Sequence, residues 1–293
     1  MNPAPSVIIF SVLSGMGFGL LAYLGAGIVR PGGWIAFLWW GLGYGLAVAG
    51  LLAATFHLGN PKNAVKAFSQ WRTSWLSREA WAAVATLVIL APVALSDWLG
   101  LGWSRFPGQV GAGLALFTVF TTSMIYTQIK AVPRWHHWLT PVMFLGFAVT
   151  GGAILAGQGL VAIVLLAGLS LILLAVWRIG DGQFHRAGAT LGSATGLDRI
   201  GKPAVFELPH TGGNYLMREM IFVVGRKHAQ KLRFLAVLLA GVLPAVFLAA
   251  FQDGPEVVVA AAFLHGIGAF AARWLFFAEA EHVVGLYYGA HQA

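Results

Sequence analysis

Apolar residues run through this chain in long blocks separated by polar connections. Windows of about 20 residues, enough to cross a bilayer core of about 30 Å, fall at 6–29, 34–57, 81–101, 107–129, 138–156, 160–179, 234–252 and 257–280. A stretch such as LVAIVLLAGLSLILLAVW is apolar on every side. That suits a helix in lipid, whereas a membrane barrel is built from alternating segments of roughly 10 residues. The connections at 30–33, 102–106, 157–159 and 253–256 are short, and they alternate with long ones at 58–80, 130–137 and 180–233. The pattern predicts an all-α integral membrane protein: one membrane domain over 1–293, a bundle of about eight transmembrane helices, and both termini on the side of the long connections. The first window, Ser6 to Val29, has no basic region before it and exceeds the apolar core of about 7–15 residues typical of a signal peptide. It reads as a retained helix.

Composition agrees. Hydrophobic residues make up 58% of the chain and charged ones 10%, against about 25% charged in a soluble domain, and the mean hydropathy is +0.78. No cysteine is present, which excludes disulfides, thiolate-bound iron–sulfur clusters and cysteine-based zinc sites in this chain. No metal site is expected. The glycine-rich runs GMGFG and GLGYG (Gly15, Gly17, Gly19 and Gly41, Gly43, Gly45) follow no strand and lie inside apolar windows. They read as helix-packing surfaces, not nucleotide loops.

Charge sets the orientation. Of 18 lysines and arginines, only Arg30 and Arg105 lie on the short-connection side and Arg273 lies inside the last window; the rest are on the long-connection side. The positive-inside rule then puts the long connections and both termini in the cytoplasm, with the chain in the inner (cytoplasmic) membrane. The formal net charge of +8 needs no nucleic acid, because anionic lipid heads attract such a face. The sharper expectation is a docking surface for an acidic soluble partner.

Candidate chemistry concentrates in HLGNPKNAVKAFSQWRTSWLSREA, residues 57–80. Asn60-Pro61 favours a turn, and the middle suits a short interfacial helix on which Trp71 and Trp75 share a face at headgroup level. His57, Arg72, Arg78 and Glu79 gather at the same depth. A quinone site needs a flat apolar slot, donors to two carbonyl oxygens and groups that relay protons, and these residue types supply those parts. An aromatic belt with snorkelling arginines uses the same residues to no catalytic end.

HLGNP at 57–61 followed by LSRE at 76–79 resembles the DmsC family, the membrane anchor subunits of molybdopterin oxidoreductases and distant relatives of the NrfD-like anchors. IYTQIKAVPRWHHWLTP at 125–141 and ARWLFFAEAEHVVGLYYG at 272–289 agree with it. The resemblance implies a bound quinone (ubiquinone or menaquinone) and no haem. It also implies a cysteine-rich iron–sulfur subunit and a molybdopterin catalytic subunit, which would hold the clusters and the molybdenum cofactor. His57 and Glu79 match the family's site histidine and glutamate, with Trp71, Arg72, Trp75, Arg78 and Arg273 as further quinone contacts. Dimethyl sulfoxide reductase anchors place the HLG loop on the periplasmic side, whereas here that loop carries an inside signal. SQWRTSWLSRE and PHTGGNYLMREM are similar to the SoeC branch, which anchors cytoplasmic sulfite dehydrogenases.

Other groups have plainer expectations. His265 reads as a buried histidine bonded to a neighbouring helix. Arg273, costly inside a membrane, is expected to pair with an acid such as Glu279 or to line the quinone cavity. His136 and His137 could assist proton entry, and Asp97 is expected to be hydrated. The 180–233 connection, with an amphipathic helix over 214–224, is the expected seat of the iron–sulfur partner. Together these give a quinone-reactive anchor passing electrons from sulfite oxidation to membrane quinone. Quinol oxidation for a sulfoxide reductase is the near alternative, and a secondary transporter is the rival from another class.

Overall fold

The structure is a computed structural model that describes residues 1–56, 60–207, 214–220, 228–251 and 254–288. His57 therefore lies outside the described residues, as do Arg226 and Lys227 of the basic 180–233 connection. Among those described there are helices, turns and coil, and no strand. Seven helices are long and apolar enough to cross a membrane: α1 (Pro5–Ala26), α2 (Gly33–Thr55), α3 (Trp75–Leu99), α4 (Phe106–Thr127), α6 (Gly159–Gly180), α7 (Ala229–Ala250) and α8 (Pro255–Ala278). A further apolar helix, α5 (Leu139–Leu155), has 17 residues, or about 26 Å at 1.5 Å per residue. The chain is a multi-pass membrane protein.

The helices form two groups of four. In one, α1 packs on α2 and α4, and α3 on α2 and α4; in the other, α5 packs on α6 and α8, and α7 on α6 and α8. The groups meet where α1 and α4 lie against α5, and α1 against α8. The small residues of α1 allow this central position. A Cβ at Gly17 would stand 2.4 Å from the Ala47 nitrogen of α2, and one at Gly19 would stand 1.9 Å from the Ala148 oxygen of α5. Backbones touch at both places, so Gly17 and Gly19 are packing positions, whereas a Cβ at Gly15, Gly41 or Gly45 would meet nothing within 4 Å.

Three expectations about local structure change. Helix α3 begins at Trp75 rather than near 81, so Arg78 and Glu79 sit on its first turns. The interfacial helix is the 3₁₀ segment Pro61–Phe68, with the Asn60 side chain accepting from the Lys62 nitrogen. Residues 71–73 are a turn. Trp71 and Trp75 therefore share no helix, because the guanidinium of Arg78 folds back onto the Trp71 and Arg72 carbonyls (3.1 and 2.7 Å) and holds that turn. At the short-connection end Asp97 is bridged, not simply hydrated. It accepts from the Trp40 indole (3.0 Å) and the Arg105 guanidinium (3.0 Å), joining α2 and α3 to the start of α4.

In the long connection, Gln183–Arg186, Leu191–Thr195 and Tyr215–Glu219 are short helices. Of the amphipathic helix expected over 214–224, Tyr215–Glu219 is helical and residues 221–224 lie outside the described residues. The N-terminal amine donates to the Ala280 carbonyl (2.9 Å), which places Met1 beside the end of α8.

Candidate functional site

On α3 the buried positions Glu79, Ala83, Thr86, Leu90 and Val93 recur at helical spacing, and on α4 so do Ala115, Thr118, Thr122 and Tyr126. These stripes face each other. Thr86 and Thr118 exchange a hydroxyl hydrogen bond (3.2 Å), and the Thr122 hydroxyl donates to the Glu79 carboxylate. Glu79 is 4% exposed and has no cation in an ion pair with it among the described residues. It lies four residues into α3, about 6 Å below the end of the helix.

Tyr126 lies one turn from Thr122, near the end of α4, where the two helix groups meet. Its ring packs edge-on against Trp135, Phe276 and Phe277 (5.4–5.6 Å) and tilts against Phe144 (5.6 Å). Trp135 stacks on Phe276, and its indole donates to the Phe276 carbonyl (2.8 Å), a C-terminal carbonyl of α8 with no helical donor of its own. Arg273, 2% exposed, holds its guanidinium carbon 3.5 Å from the centre of Phe144 and 5.1 Å from that of Phe147. A desolvated cation over a ring in this way is worth about 2 kcal/mol or more. Tyr126 is within electrostatic reach of both Glu79 and Arg273. The seam thus gathers a carboxyl, two hydroxyls and a guanidinium within aromatic walls.

At its outer edge Trp75 packs against Phe120 (6.0 Å), with Arg78 over its indole (4.3 Å). Trp71 and Arg72 pair with one another on the exposed turn, apart from the seam. The His136 ring meets the Thr127 carbonyl (2.6 Å). Burial, followed by the nearby charge of Arg186, holds His137 below the usual histidine range, which favours a neutral ring.

Arg273 does not pair with Glu279. The carboxylate of Glu279 follows the end of α8 and is taken by Arg233 (2.7 Å) and Arg134 (3.4 Å), while Arg273, six residues earlier, turns inward over Phe144. Asp181 completes this clasp, accepting from Arg134 (2.6 Å) and Arg233 (2.8 Å). Desolvation pushes the Asp181 pKa up, but the hydrogen bonds from Arg233 and Arg134 outweigh it and hold the carboxyl below its usual range.

Of the residues singled out in the sequence, Glu79, Trp75, Arg78 and Arg273 border the seam. Thr122 and Tyr126 were missed, although hydroxyls at 118, 122 and 126 in an apolar helix mark a polar stripe. Elsewhere, α1, α2 and α8 enclose a groove of about 690 Å³ lined by residues such as Met16, Leu42 and Phe263. Its walls are apolar and aromatic side chains with glycine. It has room for a lipid or isoprenoid chain, and among the described residues it offers no carboxyl, imidazole or guanidinium to a quinone head.

Residues 36–179 match the family described as DMSO reductase anchor subunit (DmsC). The third-lettered subunit of the sulfite dehydrogenase of Allochromatium vinosum is 29% identical, over 98% of this chain and 99% of its own length. No solved structure matches.

Proposed function

From a chain that carries a DmsC family domain, we propose the membrane anchor subunit of a molybdopterin oxidoreductase complex. It passes electrons between an iron–sulfur partner subunit and membrane quinone. The observation that carries the reading is the buried Glu79–Thr122 pair beside Tyr126 and Arg273, where the two helix groups meet. End-to-end similarity to a subunit of a sulfite dehydrogenase favours sulfite oxidation, with electrons flowing into quinone. The family description itself supports quinol oxidation for a sulfoxide reductase as the second reading.

The residue types at the seam suit the chemistry of a quinone head: aromatic rings, hydroxyl and guanidinium donors, and a carboxyl to carry a proton. A bound quinone supplies a two-electron, two-proton acceptor. Thr122 orients the Glu79 carboxyl, which passes protons at its free oxygen. Tyr126 and Arg273 offer hydrogen-bond donors and positive charge where negative charge develops. Trp75 and Phe144 exclude water. His57 follows the last residues of α2 in sequence and is proposed as the donor to the second quinone oxygen.

The long connections and both termini are proposed to face the cytoplasm on the positive-inside argument. The 180–233 connection, with Lys231 near its end, is proposed to seat the iron–sulfur subunit. Tying that connection to the bundle are Tyr287, whose hydroxyl donates to the Ala194 carbonyl (2.8 Å), and Asn214, whose amide donates to the Tyr288 hydroxyl (3.0 Å).

The test uses His57→Ala and Glu79→Gln in the assembled complex. Both variants are expected to keep activity with a dye that takes electrons directly from the clusters, while quinone turnover falls about 10²-fold or more, the scale for losing a positioned acid–base group. If the two act in one site, the double variant loses much less than the product of the single losses. Unchanged quinone turnover in both single variants would move the site elsewhere.

A further inference from the structure

Where α1 meets the second helix group, two buried side chains that each carry an unpartnered atom line one small cavity. His265 is 0% exposed and Arg273 2% exposed. Among the described residues, neither Nε2 of His265 nor Nη1 of Arg273 has a hydrogen-bond partner. Both side chains line a cavity of about 10 Å³ between α1, α5 and α8, together with Ser11, Met16 and Phe147. Side chains on a helix lean toward its N-terminus, so the long arm of Arg273 reaches back toward His265, eight residues earlier.

The Ala240 contact sets the tautomer of His265. Nδ1 of His265 lies 2.7 Å from the Ala240 carbonyl, which can only accept, so Nδ1 carries the hydrogen. In the neutral ring Nε2 then presents a lone pair. Arg273 Nη1 can only donate. A ligand between them must accept on one side and donate on the other, and it must be no larger than the cavity. A metal cation or ammonium ion is repelled by the guanidinium, and a halide accepts but has no hydrogen for Nε2. A volume of about 10 Å³ is roughly what one water needs.

We propose that a single water molecule is held here as part of the structure, accepting from Arg273 Nη1 and donating to His265 Nε2. Further partners are at hand. The Phe147 carbonyl lies near the same imidazole, and the Ser11 hydroxyl, which donates to the Ile8 carbonyl (3.1 Å), keeps acceptor capacity on a residue that lines the cavity. The water and His265 together form a positioning element for Arg273. They brace the inner side of the guanidinium while Phe144 takes its face. Arg273 is shared with the seam, so its positioning role there rests on the proposed quinone site, whereas the presence of the water is read from His265 and Arg273 alone.

The experiment is a structure of the full chain in lipid nanodiscs, with whatever subunits co-purify, at a resolution that shows ordered water. It is paired with solid-state NMR of the ¹⁵N-histidine-labelled protein. Density for one water within hydrogen-bond distance of both Nη1 and Nε2 is expected, together with a non-protonated Nε2 that receives magnetisation from water. A direct Nη1–Nε2 contact, density for an ion, no density between the two atoms, or a protonated Nε2 would each overturn the proposal. In His265→Phe, which removes the acceptor, the water density is expected to disappear. If that variant does not fold, the measurements on the unaltered chain decide the matter alone.

Discussion

At the scale of single residues, Glu79 meets Thr122 across the α3–α4 contact with no cation paired to the carboxyl among the described residues. A group so placed is set by one hydroxyl, and losing a hydrogen bond to a buried acceptor costs about 1–3 kcal/mol, or roughly tenfold to a hundredfold in rate where the group acts. Thr122→Val keeps the shape and removes the donor. It is expected to lower quinone turnover within that range and shift its pH profile, while Thr122→Ser restores both; dye-linked activity is the control. An unshifted profile in Thr122→Val would reduce Thr122 to packing. The glutamate was legible in LSRE, but the threonine was not, because nothing in a run of Thr121, Thr122 and Ser123 says which hydroxyl turns toward α3. All three hydroxyls lie within reach of carbonyls of their own helix, and it is that of Thr122 that also meets Glu79.

At the scale of elements, helix interruptions and small residues decide the geometry. Pro244 has no N–H to return to the Ala240 carbonyl four residues earlier, and α7 passes through a π-helical turn at Leu238–Val242. The carbonyl there accepts from His265 instead, which is the bond to a neighbouring helix expected of that histidine. The crossing is close enough that a Cβ at Gly268 would stand 2.1 Å from the Ala240 nitrogen. Glycines of one run differ sharply. A Cβ at Gly15 would meet nothing within 4 Å, whereas one at Gly19 would lie 1.9 Å from the Ala148 oxygen. Gly19→Ala is expected to lower thermal stability in nanodiscs by about 1–3 kcal/mol or more through overpacking. Gly15→Ala should be neutral or slightly stabilising, since alanine favours helix by about 1 kcal/mol. Equal melting temperatures for the two variants would contradict the contact between α1 and α5.

At the scale of the whole molecule, two four-helix groups are closed at the long-connection end by Arg134, Arg233, Asp181 and Glu279. Asp181 titrates below its usual range in the folded chain, so its stabilising contribution is complete above the ordinary carboxylate pKa of about 4. That contribution is lost as pH falls through the lowered value. Unfolding followed against pH should show this loss on the acid side, and Asp181→Asn should remove it while lowering stability at neutral pH. Orientation is tested by a reporter fused after the last residue: a cytoplasmic reporter is expected to be active there and a periplasmic one silent. The reverse result would overturn the cytoplasmic docking face. Apolar windows and the one-sided lysines and arginines are properties of the linear chain, since transfer to lipid depends on each segment's own composition. The sequence alone therefore determined the helical membrane class, the approximate spans and Glu79 as a candidate. Partnerships among the ionised and hydroxyl side chains depended on which helix faces meet. Only the tertiary structure took Glu279 away from Arg273 and gave it to Arg134 and Arg233, brought Thr122 and Tyr126 to the seam, and set Trp71 apart from Trp75. On a helix each residue turns about 100° from the last, so a side chain's partner is fixed by the rotation and crossing of packed helices, which no single segment encodes.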